Sequence, residues 1–187
     1  MRLLSRPSDD SIIRQVLSGR RQQFGMLVQR HLPSVYAVAY AQTHNHSDAE
    51  DVSQETFLKA FTALDSLRDR RRFEGWVVTI ARNLAHSVWQ DRKREAAIAE
   101  ALPETAGSLP DEVARREMQA LLRQRIEGLD PLQREILLLH YFAGKSTHEI
   151  AVILDISRAA AKKRLQRARE ALSRELLTAL EGAFEPR

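Results

Sequence analysis

The segment STHEIAVILDISR, residues 146–158, is the most informative stretch of this chain about its fold. Ser146 and Glu149 have the spacing of a capping box, in which each side chain satisfies a backbone N–H at the start of a helix. That helix is expected over Thr147–Leu154. Asp155-Ile156-Ser157 then predicts a tight turn, because Ser157 suits the N-cap of a further helix. Two helices joined in this way predict a helix-turn-helix, whose second helix enters the major groove of DNA.

The second helix, from Arg158 to about Leu180, has two contrasting sides. At roughly 100° per residue, its core stripe is Ala161, Leu165, Ala168 and Leu172. Between Arg158 and Arg169 there are six basic residues and no acidic one. Cations on the outward face can neutralise phosphates, and longer side chains can also reach base edges. The alternative is that this is an ordinary basic helix face in solvent. The residues predicted to contact DNA are Arg158, Lys162, Lys163, Gln166 and Arg167.

Every other segment of the chain with a clear pattern is predicted to be helical. Asp130 and Pro131 suit the N-cap and first position of a helix over Pro131–Phe142, and Gln133 adds a capping-box pattern. Upstream, residues 96–111 contain Pro103, Gly107, Ser108 and Pro110, which predict a linker. Within this segment, 96–102 can extend the preceding helix. Residues 111–128 are predicted to be helical again. We therefore expect an all-α chain of two small helical domains joined by a flexible linker, with boundaries at 1–95, 96–114 and 115–187.

The N-terminal half predicts four helical stretches. These are Ser11–Leu32, Val35–Gln42, a helix from Ser47 to about Leu64, and one from Phe73 to about Arg94. Pro33 marks a break or a new first turn. Ser47 and Glu50 form a second capping-box pattern. Asp65–Arg72 is expected to be a charged loop.

One face of the Ser47–Leu64 helix is acidic. Asp51, Gln54, Glu55 and Leu58 are spaced by three, four and seven residues, away from the predicted core stripe of Phe57, Ala60 and Phe61. Such a face, with one exposed leucine, suits docking of a basic helix or coiled coil. An ordinary solvated face is the alternative.

A basic and aromatic region follows this helix. Arginines that alternate with aromatic rings suit single-stranded DNA, because the cations follow the backbone while the rings stack on bases. The alternative is that the rings are plain core residues. The residues concerned are Arg70, Arg71, Arg72, Phe73, Trp76, Arg82 and Asn83.

Composition excludes several classes of protein. The 187 residues contain no cysteine, so disulfides and thiolate chemistry are absent, and the net charge of +4 permits a polyanionic partner. The chain has neither a signal-peptide pattern nor an apolar run long enough to span a membrane, so we expect a cytoplasmic protein without stable membrane insertion. His148-Glu149 begins a zinc-protease motif, but Val152 stands where the second histidine is needed. His44 and His46 lack a carboxylate cluster, so we expect no metal, no cofactor and no catalytic residue.

Two linked segments resemble a known family. DAEDVSQETFLKAF (48–61) with FEGWVVTIARN (73–83) resembles the second conserved region of extracytoplasmic-function (ECF) sigma factors, members of the sigma-70 family. LDPLQREILLL (129–139) with the helix-turn-helix resembles their fourth region. The resemblance runs from about Phe24 to Leu172 in the family's order, with the linker where the third region would be.

The resemblance implies a mechanism. Such proteins bind bacterial core RNA polymerase and direct it to promoter DNA. The face made of Asp51, Gln54, Glu55 and Leu58 would dock on the clamp coiled coil of polymerase. The Ser66–Arg72 loop and the helix after it would read and open the minus-ten element, and the C-terminal helix would read the minus-thirty-five element. An anti-sigma factor is expected to hold the chain inactive, since both basic surfaces look ready for DNA.

The chain departs from the family at four positions. Ser87 stands where aspartate is frequent, Asp155 where the turn usually has glycine, and Ala160 and Ala161 where threonine and valine are common. Three other classes of protein are the alternatives: a repressor-type regulator with a helix-turn-helix, a helical enzyme and an anti-sigma-like interaction module. A repressor needs neither the acidic face nor the arginine–aromatic region. The sequence shows no assembled set of catalytic residues that would indicate an enzyme. An interaction module has no need of two DNA-facing surfaces.

Overall fold

The computed structural model describes residues 7–98, 126 and 128–183, with side chains through 94 in the first part and through 174 in the last. Within these residues the regular structure is helical. Three 3-10 turns occur, at Arg21–Gln23, Leu64–Ser66 and Arg70–Arg72. The helices are α1 Asp9–Leu17, α2 Phe24–Thr43, α3 His46–Thr62, α4 Phe73–Ile98, α5 Pro131–Tyr141, α6 Thr147–Ile153 and α7 Arg158–Ala183. The helix expected over 111–128 and most of the linker lie outside the described residues, and α4 includes 96–98 as expected.

The first predicted helix, Ser11–Leu32, is wrong as a single element. The chain breaks after α1 at Ser18 and Gly19, and Gly19 has a φ of 101°, which glycine adopts without steric cost. Pro33 neither breaks nor starts a helix, because it lies inside α2. Its ring is at an exposed position, and α2 continues to Thr43.

The start of α3 also differs from the prediction. Asn45, not Ser47, is the N-cap, and its side-chain oxygen accepts a hydrogen bond from the Asp48 N–H at 3.1 Å. Asparagine is as good an N-cap as serine, and His44 ends α2 in a left-handed conformation with a φ of 57°. This sharp reversal leaves only two residues, His44 and Asn45, between α2 and α3.

The N-terminal helices surround an aromatic core. Phe24 packs edge-to-face against Phe57, Phe61 and Phe73, with ring centroids 5.1–6.5 Å apart. Ile12, Ile13 and Leu27 are fully buried beside them. A smaller alanine- and valine-rich cluster joins α2, α3 and α4 farther along. Burial of this many large apolar side chains is the main force that holds α1–α4 together.

The C-terminal helices share a core with the N-terminal ones. Ala37, Val38 and Val78 of α2 and α4 belong to the same buried cluster as Ile136, Leu139 and Ile150. Arg134 of α5 is only 4% exposed, and its Nη1 donates to the Ala41 carbonyl of α2 at 2.5 Å. The two predicted domains are therefore packed against each other.

The caps of α5, α6 and α7 follow the sequence. Asp130 accepts from the Leu132 N–H at 3.0 Å, with Pro131 in the first turn, although the expected partner was Gln133. The Ser146–Glu149 capping box is complete on both sides, as predicted. Ser157 accepts from the Ala160 N–H at 3.1 Å and caps α7.

Candidate functional site

The outward face of α7 is the first candidate surface. Ala161, Leu165 and Ala168 are buried against α5 and α6, and Leu172 is partly buried, as the periodicity predicted. The opposite side is exposed and carries the predicted DNA-contacting residues, which are Arg158, Lys162, Lys163, Gln166 and Arg167. A cationic helix face fixed by a buried stripe fits the phosphates and base edges of a major groove.

Contacts from α5 hold α7 in place. The Arg169 Nε donates to the Tyr141 hydroxyl at 2.8 Å, and its Nη2 lies 3.1 Å from the His140 Nε2. The turn before α7 holds Asp155 at a φ of 53°, which explains why a glycine is the usual residue there. The orientation of α7 therefore depends on both the turn and the end of α5.

The acidic face of α3 is exposed as expected. Asp51, Gln54 and Glu55 face solvent, and Leu58 is 64% exposed. Glu55 lies 3.4 Å from Lys59, an exposed pair that adds little stability. An exposed leucine flanked by carboxylates suits the docking of a helix that presents apolar and basic side chains.

A groove of about 1020 Å³ adjoins this face, between α2 and α3. Leu58 lies on its edge. The groove was not predicted from the sequence. Its lining is largely apolar and includes Phe24, Val28, Leu32, Phe57, Phe61 and Phe142.

The arginines before α4 are already paired; Arg71 and Arg72 are exposed and Arg70 is half-buried. Arg71 donates to Asp69, with Nε at 3.1 Å from Oδ1. Arg70 lies 4.0 Å from Asp10 of α1. Arg72 forms an ion pair with Asp155 of the C-terminal turn. This last contact joins the two halves of the predicted DNA reader.

The prediction that Phe73 contacts DNA is wrong. Its ring is fully buried, 5.8 Å from Trp76 and beside His31 and Phe24. Trp76 is partly buried against the same core and lines a cleft of about 470 Å³ with Arg68 and Arg82. Of the two aromatic residues, only Trp76 can present a ring edge to a ligand.

Arg82 and Asn83 lie farther along α4. Asn83 is exposed, whereas Arg82 donates to both carboxylate oxygens of Glu135 on α5, at 2.6 and 3.3 Å. Glu135 is itself buried. This partner could not be predicted from local sequence patterns, because 53 residues separate the two side chains.

Glu74, at the start of α4, connects α2 to the C-terminal helices. Its Oε1 accepts from the Ser34 hydroxyl at 2.7 Å and lies 2.6 Å from the Lys145 Nζ and 3.5 Å from the His31 Nδ1. Burial alone would raise the pKa of Glu74, but contacts with His31, Lys145 and Ser34 lower that pKa to about 2. The carboxylate is therefore charged at all ordinary pH values.

His31 lies between two carboxylates. Its Nε2 is 2.9 Å from the Asp9 Oδ2, opposite Glu74. Burial acts to lower the pKa of His31, but Asp9 and Glu74 outweigh it and raise that pKa above its ordinary 6.5. This arrangement fastens α1 to the α2–α4 pair.

The two histidines at the α2–α3 junction, His44 and His46, have structural partners. His44 Nε2 lies 2.8 Å from the Arg134 Nη1, and His46 Nδ1 lies 2.6 Å from the Tyr36 hydroxyl. Across the residues that the structure describes, no group of three or more histidine, aspartate or glutamate side chains is placed to hold a metal ion. Among the described helices, none has the length and apolar character that a membrane crossing requires.

Both halves of the chain match sigma-70 families. Residues 27–95 match the family described as Sigma-70 region 2, and residues 119–172 match Sigma-70, region 4. The ECF RNA polymerase sigma factor SigW of Bacillus subtilis is 32% identical over 176 residues, which cover 88% of this chain and 94% of that protein.

Two solved structures have a similar fold. The structure of CnrH in complex with the cytosolic domain of CnrY has a TM-score of 0.66 at 28% identity and covers 96% of this chain and 100% of that one. The sigma factor RpoE in complex with the anti-sigma factor NepR, from Bartonella quintana, has a TM-score of 0.57 at 28% identity and covers 84% of this chain and 96% of that one.

Proposed function

This chain belongs to the ECF sigma factors of the sigma-70 family, and on that premise we propose which of its surfaces perform each step. As an alternative sigma factor it binds bacterial core RNA polymerase and directs promoter-specific transcription initiation. Such factors act in initiation rather than as catalysts. The assignment of individual residues to polymerase and to DNA is our proposal.

Core polymerase docks on the acidic face of α3. Asp51, Gln54 and Glu55 attract a basic coiled coil, and Leu58 supplies the buried apolar contact at its centre. An apolar residue ringed by polar ones is the usual arrangement of an interface hot spot. The single observation that carries this proposal is the 64% exposure of Leu58 at the edge of a largely apolar groove.

Promoter DNA is read at two places. At the minus-ten element, Arg70, Arg71, Arg72, Arg82 and Asn83 contact the backbone and Trp76 meets an unstacked base. At the minus-thirty-five element, the exposed face of α7 lies in the major groove as duplex reader. Its contacting residues are Arg158, Lys162, Lys163, Gln166 and Arg167.

The proposal also covers the domain boundaries, the location of the protein and its regulation. Residues 1–95 form the region 2 domain, 96–114 the linker and 115–187 the region 4 domain. The chain has no catalytic role of its own and works in the cytoplasm, where polymerase and chromosome are found. Because the similar sigma factor RpoE is solved in complex with the anti-sigma factor NepR, an anti-sigma factor is also proposed for this chain.

Run-off transcription with purified core polymerase on genomic fragments tests the function. Core enzyme with this protein is expected to start at specific promoters that core enzyme alone does not use. Leu58→Asp should abolish those transcripts, because a carboxylate cannot be buried unpaired in the interface. Leu17→Asp, at an exposed leucine at the end of α1, is the matched control and should retain them. Equal transcription by the two variants would refute the docking assignment.

A further inference from the structure

Two consecutive residues at the end of α5 hold one exposed arginine of α7. The Arg169 Nε donates to the Tyr141 hydroxyl at 2.8 Å, and the guanidinium carbon lies 5.5 Å from the centre of the Tyr141 ring. The Arg169 Nη2 lies 3.1 Å from the His140 Nε2. A long exposed side chain has many rotamers open to it in solvent, so these contacts restrict a group that would otherwise be mobile.

The hydrogen bonds of His140 identify the nitrogen that accepts from Arg169. The His140 Nδ1 lies 2.7 Å from the Lys145 carbonyl oxygen, which can only accept, so Nδ1 carries the ring proton. The Nε2 of the neutral ring then has a lone pair for an N–H of the Arg169 Nη2. A charged ring would instead turn an N–H toward a cation. His140 is therefore a specific acceptor for the guanidinium.

Lys145 connects this arrangement to the start of the helix-turn-helix. Its N–H donates to the Leu139 carbonyl at 2.9 Å, and it directly precedes Ser146, the N-cap of α6. The loop that leads into α6 therefore fixes the His140 ring, and the ring in turn fixes Arg169. The guanidinium is placed by the same segment that places α6.

Arg169 lies on the exposed basic side of α7 but is not among the DNA contacts predicted from the sequence. It follows Lys162 by seven residues, nearly two helical turns, and so lies on the same flank of the helix. In the described part of the chain no carboxylate pairs with Arg169. Its contacts use Nε and Nη2, so both hydrogens of Nη1 stay available for a phosphate oxygen.

We propose that Arg169 is a further phosphate contact of the minus-thirty-five surface, and that His140 and Tyr141 are positioning residues that orient its guanidinium. Because the side chain is ordered before DNA binds, less conformational entropy is lost when the phosphate contact forms. The inference rests on the proposed function of α7. It adds one residue to the DNA contacts and gives a role in DNA binding to two residues outside the reading helix.

Salt titration of the holoenzyme on a promoter fragment tests the phosphate contact. Arg169→Ala should reduce the slope of log affinity against log salt concentration by about 0.9 in magnitude, because one phosphate is no longer neutralised. Arg14→Ala, at an exposed arginine of α1, is the matched control and should leave the slope unchanged. A parental slope in Arg169→Ala would overturn the contact.

Tyr141→Phe tests the positioning role. It removes only the hydroxyl of a side chain that is 65% exposed, so the fold is retained. Affinity for the promoter should fall about two- to tenfold at an unchanged salt slope, because the cation is still present but must be ordered on binding. Tyr40→Phe, on α2, is the control and should bind as the parent does.

A double substitution shows whether Tyr141 acts through the arginine. In the Arg169→Ala background, Tyr141→Phe should cause no further loss of affinity, since the group that it orients is gone. A purely structural role of Tyr141 would give the same loss in both backgrounds. That additive result would refute the positioning role.

His140→Gln and His140→Asn separate the acceptor from the rest of the ring. The glutamine oxygen can take the place of Nε2 and accept from Arg169, whereas the asparagine amide reaches only the place of Nδ1, beside the Lys145 carbonyl. His140→Gln should therefore keep the parental affinity, and His140→Asn should lose as much as Tyr141→Phe. Equal losses in the two variants would contradict a role through Nε2.

A measurement without DNA separates this inference from the proposed function. In the free chain at about pH 8, where an ordinary histidine is neutral, nitrogen NMR should place the His140 proton on Nδ1, and the Arg169 Nε resonance should shift in Tyr141→Phe. A proton on Nε2 would overturn the arrangement. A parent holoenzyme that recognises no promoter would refute the proposed function and with it the DNA contact, while the NMR result would still decide whether His140 and Tyr141 hold the guanidinium. Parental promoter binding by Arg169→Ala at every salt concentration would refute the inference alone.

Discussion

Glu74 of α4 and Lys145, just ahead of the helix-turn-helix, form an ion pair with 2.6 Å between Oε1 and Nζ. Both side chains are largely buried, with 21% and 15% of their surface exposed. The carboxylate also accepts from Ser34, so one group joins α2, α4 and the C-terminal half.

Glu74→Gln should destabilise the protein by about 2–3 kcal/mol, because it leaves the Lys145 ammonium buried without a counter-charge. Urea unfolding followed by circular dichroism measures the change. Asp91→Asn, which removes the exposed pair with Arg94, is the control and should cost less than about 0.5 kcal/mol. Equal effects of the two substitutions would show that the Glu74 pair is solvated.

The stability should fall at alkaline pH through His31. Its pKa in the folded protein is raised above 6.5, so its contribution is complete below about pH 6.5 and is lost as the pH rises through the raised value. His31→Gln should remove this loss, which urea midpoints at pH 6 and pH 9 would reveal. The groups that face His31 are Asp9 and Glu74, and Arg30 and Lys145 pair with those carboxylates.

At acid pH the same site loses stability through Glu74. Its pKa of about 2 lies below the ordinary 4.5, so its contribution is present above about pH 4.5 and is lost as the pH falls toward 2. Comparison of the parent with Glu74→Gln between pH 3 and pH 5 isolates this effect. A constant difference in unfolding free energy across that range would contradict the shifted pKa.

Substitutions on α7 should separate base readers from phosphate contacts. Lys163→Ala and Arg167→Ala are each expected to weaken binding to the minus-thirty-five element. If the lost side chain contacts a phosphate, the slope of log affinity against log salt concentration should fall in magnitude by about 0.9. If it contacts a base, binding should weaken by about 1–3 kcal/mol and specificity at that base pair should relax. Titration of holoenzyme on promoter DNA at several salt concentrations distinguishes the two. Arg14→Ala, at an exposed arginine of α1, should change neither quantity.

Phe73→Ala should lower the free energy of unfolding by about 3–5 kcal/mol, as is typical when a fully buried aromatic side chain is removed. Trp76→Ala should lower the free energy of unfolding by less than Phe73→Ala does, because the Trp76 ring is only partly buried. Under conditions where both variants are folded, Trp76→Ala should impair promoter opening more than Phe73→Ala. Permanganate reactivity of unpaired thymines measures opening. A Phe73→Ala loss below about 1 kcal/mol would contradict the burial of its ring.

Local signals predicted the C-terminal half well. The Ser146 capping box, the Ser157 cap and the alternation of α7 between buried and exposed sides all depend on residues within one or two helical turns. The same holds for the exposed face of α3. By contrast, the Ser47 cap was wrong because Asn45, two residues earlier, offers an equally good side chain, and nothing local ranks the two.

Contacts between distant residues could not be predicted. Val78 is buried and Arg82 is paired because α5 and α6 pack on α4, and those partners are more than 50 residues away. Phe73 and Trp76 have similar local surroundings in the sequence, yet only the packing of α2 decides which ring is buried. The groove beside Leu58 likewise exists only once α2 and α3 are packed.

The contact between Arg134 of α5 and His44 at the end of α2 offers a way to detect any separation of these two helices. The imidazole of His44 is held near the guanidinium of Arg134, and burial together with that charge lowers its pKa to about 4. If α5 moves away from α2, the ring returns to water and should titrate near 6.5, its ordinary pKa. At pH 5.5, the ring-proton NMR resonance of His44 would then change with domain opening, without any added label.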